Sequence, residues 1–215
     1  MLSALGPALI VAAAPVVMII ALSLAVSAKS PAAVMGFAIG RAVAIAAATL
    51  GVAALSAAIA PDPDLLRRVA SILELALALF LIVVALWAWL RPHQEMVEPG
   101  WMRRVEEIGW RSGLVLGAVI WLGNPKILVT IVLTGLLLGA QSFAMALGTT
   151  AFFVLVGSAP LLALATARVI AGRSKGEVFE RMHRWVLQNS WLVLAVVSLL
   201  VAVLLIVDGV TGLRA

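Results

Sequence analysis

"WLGNPKILVTIV", residues 121–132, sets an asparagine, a proline and a lysine side by side inside long apolar sequence. In hydrocarbon, every backbone polar group must find a partner within the protein. A proline inside a helix removes one N–H and strands the carbonyl four residues back, here near Trp121. A lysine at the same depth is costly unless it meets water or an anion. Lys126 stands roughly 14 residues from either end of its apolar run, too deep for easy snorkelling. The expectation is a broken helix opening onto a cavity, where the freed backbone groups and the Asn124 amide find partners. Asn124, Pro125 and Lys126 are therefore candidate substrate-binding residues, with the ammonium suited to a carboxylate or a phosphate.

Outward from this point the chain stays apolar. Of 215 residues, 64% are hydrophobic and 12% charged, with a mean hydropathy of +1.19, against about half and a quarter in a soluble domain. This composition is that of an integral membrane protein and excludes an ordinary soluble fold. Crossing the hydrocarbon takes about 20 apolar residues in a helix. Six segments meet this: 2–27, 32–60, 67–90, 112–139, 142–167 and 186–207. The alternating pattern of a barrel strand is absent, so the fold class is an all-α membrane bundle of six helices. The first run is too long, and has no basic flank, for a cleavable signal. It reads as the first span.

The net charge of +5 does not point to nucleic acid, because the basic residues gather in loops, where they orient a membrane protein. One set of loops holds Lys29, Arg91, Arg103, Arg104, Arg111, Arg168, Arg173, Lys175, Arg181 and Arg184, against Arg67, Arg68 and Arg214 on the other side. The first side is expected to be cytoplasmic, in a cell inner membrane, with both termini outside. Segments 101–108 and 177–186 set Trp, Met or Phe beside Arg, as amphipathic interfacial helices do.

A repeat is visible. At an offset of 110 residues, Pro15 falls on Pro125, and Gly36 and Gly40 fall on Ala146 and Thr150. Three spans per half make the second half enter from the opposite face. The whole chain is then one membrane domain of two inverted halves, 1–90 and 112–215, joined by the linker 91–111. This is a common plan of secondary transporters.

Arg41 and Glu74 also lie inside spans, about 15 and 12 Å deep at 1.5 Å per residue. They are expected to face each other as an ion pair, Arg41 helping to hold an anionic substrate and Glu74 pairing or coupling. Asp208 reads as a helix-end cap. His93 and His183 lack partners spaced for metal or catalysis, and no nucleophile set, P-loop or dinucleotide loop is present. The chain reads as a non-enzyme without cofactor or metal. Gly36/Gly40, Gly113/Gly117 and Gly135/Gly139 permit close helix approach, equally within the bundle or in a homodimer.

Several stretches resemble a known family. "APVVMIIALSLAVSAKSPAAVMGFAIG", "EPGWMRRVEEIGWRSGLVLGAVIWLGNPK" and "RWVLQNSWLVLAVVSLLVAVLLIVDGVTGL" are similar to the glycolipid-addressing branch, which includes sulfolipid-addressing proteins, of the lysine-exporter superfamily. Two positions depart from its pattern: Ile127 follows Asn-Pro-Lys where Asn or Ala is usual, and Arg41 follows Gly40 where Trp is usual. The resemblance implies export of a glycolipid or lipid-linked product across the cytoplasmic membrane, and it carries over no catalytic residue. The alternatives are an exporter of amino acids or small metabolites, and a non-transporting assembly partner of a lipid synthase or larger exporter.

Overall fold

The computed structural model describes residues 5–12, 14–26, 31–59, 62–90, 108–171 and 176–214. Among them are nine α-helices, one 3-10 turn and no strand. The first half contains α1 (Leu5–Ala12), α2 (Pro15–Val26), α3 (Pro31–Ile59) and α4 (Pro63–Leu90). The second contains α5 (Trp110–Ile120), the 3-10 turn Trp121–Gly123, α6 (Pro125–Gly139), α7 (Phe143–Ala171), α8 (Gly176–Gln188) and α9 (Ser190–Arg214).

Four helices, α3, α4, α7 and α9, are long and apolar enough to cross a membrane. The other two expected spans are bent: α1 and α2 meet at 46°, and α5 and α6 at 86°. If each bent pair is one span, there are six.

Proline sets four of the nine described α-helix starts. Pro15, Pro31, Pro63 and Pro125 each occupy the first residue of a helix, where the missing N–H costs nothing and the fixed φ suits the first turn. Asp62 completes one such start, its Oδ1 accepting the Asp64 N–H at 3.0 Å. Pro7 lies in the first turn of α1, and Pro160 lies inside α7.

The long helix α3 is the hub. It packs on α5, α6 and α7, and glycines set the spacing. A side chain at Gly40 would collide with the Leu114 carbonyl, and one at Gly117 with the Phe37 carbonyl. One at Gly135 would fall 2.6 Å from the Val52 Cβ, and one at Gly139 2.5 Å from the Ser56 Cβ. All three glycine pairs therefore serve packing inside the bundle. The partners are reciprocal between halves: α3 packs on the bent pair α5–α6, α7 packs on the bent pair α1–α2, and α4 packs along α9.

The amphipathic helix expected near 177–186 is α8, which packs on α2; its expected counterpart lies in 101–107, outside the described residues. Arg168, expected in a loop, is instead 3% exposed within α7. Its Nε donates to the Ala25 carbonyl in the last turn of α2, a turn whose carbonyls lack intrahelical donors. Its guanidinium also lies 5.7 Å from the ring centre of Phe179 on α8.

Candidate functional site

The first break begins with Pro15. A proline there leaves the carbonyl of Val11 without the N–H that would continue the helix. Arg41, from α3, takes that place: its Nη2 donates to the Val11 oxygen at 2.7 Å. Its Nη1 reaches the Gly157 oxygen on α7 at 3.4 Å, one turn before Pro160. A close approach of α1 and α7 makes this reach possible, for a side chain at Gly157 would fall 3.0 Å from the Val11 Cγ1. The Arg41 side chain is 1% exposed, and its Nε has no partner among the described residues.

The second break, 110 residues on, shares one backbone bond with the first. Met18 N–H donates to the Ala14 carbonyl at 3.1 Å, and Leu128 N–H to the Asn124 carbonyl at 3.1 Å. The other groups are satisfied differently. The 3-10 turn brings the Asn124 N–H to the Trp121 carbonyl at 3.0 Å, so the carbonyl expected to be free is occupied. Asn124 Oδ1 accepts the Ile127 N–H at 3.4 Å, with an extended backbone at φ −115° and ψ 100°. Asn124 is thus the N-cap of α6 and Pro125 its first residue, rather than an interruption within one helix. Lys126 is the second residue of α6; the side chains of Pro125 and Lys126 lie outside the described residues. Trp121 is buried beside this turn, and its indole N–H has no partner among the described residues.

The expected Arg41–Glu74 ion pair is not formed. Arg41 spends both Nη groups on backbone carbonyls. Glu74 is half-buried on α4 and lines a separate, partly open cavity with residues from α1, α6, α7 and α9. Asp208 of α9 stands across the contact with α4, where a side chain at Gly209 would fall 2.8 Å from the Leu75 Cγ. Asp208 is no helix-end cap, because α9 continues to Arg214; its Oδ2 lies 2.6 Å from where a Gly6 side chain would begin. The small residue in α1 makes room for that carboxylate.

The remaining candidates fall away from these centres. His183 meets Ser23 at 3.1 Å between Nε2 and Oγ, which ties α8 to α2 and was not evident from the sequence. His93 lies outside the described residues. Among the described residues no group of three metal-ligating side chains forms. Asn124, Arg41 and Glu74 therefore occupy three places: the second break, the first break and the cavity.

A family model described as Sap, sulfolipid-1-addressing protein, matches residues 4–211. Comparison with curated proteins and with solved structures gives no match.

Proposed function

The chain belongs to the sulfolipid-1-addressing protein family, and from that membership we propose that it is a small secondary transporter or flippase for an anionic or zwitterionic lipid-linked product. A sulfolipid carries an anionic headgroup, and this chain has the means to receive one. The observation that supports the reading best is the start of α6: a helix begins at Asn124–Pro125 in the middle of an apolar segment, with Lys126 in its first turn. Helix N-termini carry partial positive charge, and a lysine there adds a full one. Broken helices whose half-helix ends meet the substrate's charge are a recurrent transporter device.

The same reading covers the architecture. Two bent pairs at the 110-residue offset, with matching backbone bonds and exchanged packing partners, support two inverted halves of the lysine-exporter type. Arg41 then acts on the first break rather than on the substrate. A non-transporting assembly partner is the weaker reading, since it would be expected to keep glycine faces free for its partner, and all three pairs are used internally.

Lys126→Met tests the site. In cells making the glycolipid, the ratio of surface-extractable to total product falls to the level of a deletion strain, while protein abundance in the membrane is unchanged. Lys126→Arg exports poorly too, because a planar fork does not replace a compact ammonium. Normal export by Lys126→Met would remove Asn124–Pro125–Lys126 from the substrate path.

A further inference from the structure

Glu74 lies in an apolar bundle with no cation beside it among the described side chains. None of the described side chains hydrogen-bonds or ion-pairs with it, and Asp208, across the contact of α4 with α9, has the same sign. Two carboxylates cannot both stay ionised at close range in a low-dielectric site; one takes up a cation or a proton.

The cavity beside Glu74 holds a second sign of an absent ligand. Thr134 lines it, is 4% exposed, and its Oγ1 has no hydrogen-bond partner among the described residues. A buried hydroxyl without a partner costs about 1–3 kcal/mol, and a mid-helix threonine ordinarily avoids this by bonding its own i−4 carbonyl. Thr130, Thr149 and Gln141 add further oxygens to the wall, while the remainder is Leu, Ile and Pro. A sodium ion asks for several converging oxygens, whereas a proton needs one carboxylate and one hydrogen-bond partner. With a single carboxylate in the lining and Leu, Ile or Pro at more than half of its positions, the proton is the occupant that asks least of this wall.

We propose that Glu74, with Thr134 beside it and Asp208 behind it, forms an intramembrane proton-binding site that couples transport to the proton gradient. The word couples rests on the exporter reading above; the binding itself does not. The site is built from both halves, with α1 and α4 on one side and α6, α7 and α9 on the other. A proton taken up there changes the charge between two bodies that would move against each other in alternating access. Among the elements around Glu74, Asp208 of α9 is the charged group that acts on it. Asp64 and Arg68 on α4 are exposed toward that helix's N-terminal end, and the described cavity-lining residues of α1, α6 and α7 carry no charge.

Infrared difference spectroscopy of the purified full chain in nanodiscs reads the proton without any substrate. At neutral pH and in sodium-free buffer, the protonated-carboxyl region is expected to contain a band that Glu74→Gln removes. Thr134→Val should shift the frequency of that band, because the C=O stretch reports the hydrogen bond to the carboxyl. Thr150→Val, which alters another buried and unpartnered hydroxyl, should leave it in place. A spectrum that Glu74→Gln does not change would overturn the proposal, as would a band that sodium chloride abolishes at constant pH. Neither result touches the Lys126 test, and normal export by Lys126→Met would not touch this one.

Discussion

The two proline breaks lie 110 residues apart and solve one problem in two ways. Each leaves a carbonyl four residues before its proline. At the first break a cationic side chain from a neighbouring helix takes the Val11 oxygen. At the second the chain tightens into a 3-10 turn, its own Asn124 N–H takes the Trp121 oxygen, and the Asn124 side chain caps the next helix. The first solution is long-range: it consumes Arg41, ties α3 to α1 and α7, and leaves a bend of 46°. The second is local, needs no outside residue, and leaves a bend of 86°. The difference separates holding from presenting. A break stapled by a buried guanidinium is fixed by the bundle, whereas a self-capped break draws on no side chain from another helix.

The largest effect is expected where the second break is anchored. α5 lies so close to α3 that the Gly117 Cα faces the Phe37 carbonyl, and the obstacle is backbone, which cannot step aside. Gly117→Leu should prevent α5 from docking and yield no monodisperse protein on size-exclusion chromatography. Gly123→Leu, at a position with open space around it, should purify normally. Equal behaviour of the two variants would mean that the glycine contact does not position the break.

Next comes the staple. Arg41→Met leaves the Val11 and Gly157 carbonyls unpaired, at roughly 1–3 kcal/mol each, and should lower the melting temperature in detergent. The comparison sharpens in a double-mutant cycle. Pro15→Ala restores an N–H at the position that serves the Val11 carbonyl, so Arg41→Met should cost less in that background. A loss of the same size with and without Pro15 would show that Arg41 does not act through the break.

The six apolar segments and the two prolines were legible in the sequence because hydropathy and proline chemistry are local. The glycine pairs were legible as close contacts, but their partners were not, since one spacing serves an internal and an external neighbour alike. Arg41 was misjudged for a physical reason. Sequence reasoning looks for opposite charge among side chains, and the acceptors were backbone carbonyls, which no letter displays. Counting four back from Pro15 names Val11 and would have found one of them. Arg168 reads as a loop residue because it is charged, yet the carbonyls at the end of α2 give it a buried partner. Asp208 looked like a cap because the apolar run weakens there, and the helix continues past it. Asn124–Pro125 could have been read from Asp62–Pro63 in the same chain, where a capping acid precedes a proline at a helix start.

The smallest expected effect tests the local half of the comparison. If the second break closes on itself, its cap is worth what caps are worth elsewhere: Asn124→Ala should cost about 0.5–2 kcal/mol. Asn124→Asp should keep most of that, because a carboxylate caps as well as an amide and also favours the helix N-terminus. Both variants retain the backbone N–H that reaches Trp121, so hydrogen exchange at residues 127–130 should quicken for Asn124→Ala alone. The first break should stay silent, with exchange at residues 16–19 unchanged, because its staple comes from α3 and not from α6. Faster exchange at both breaks would mean that the two are mechanically joined, and the contrast between a held break and a self-capped one would fail.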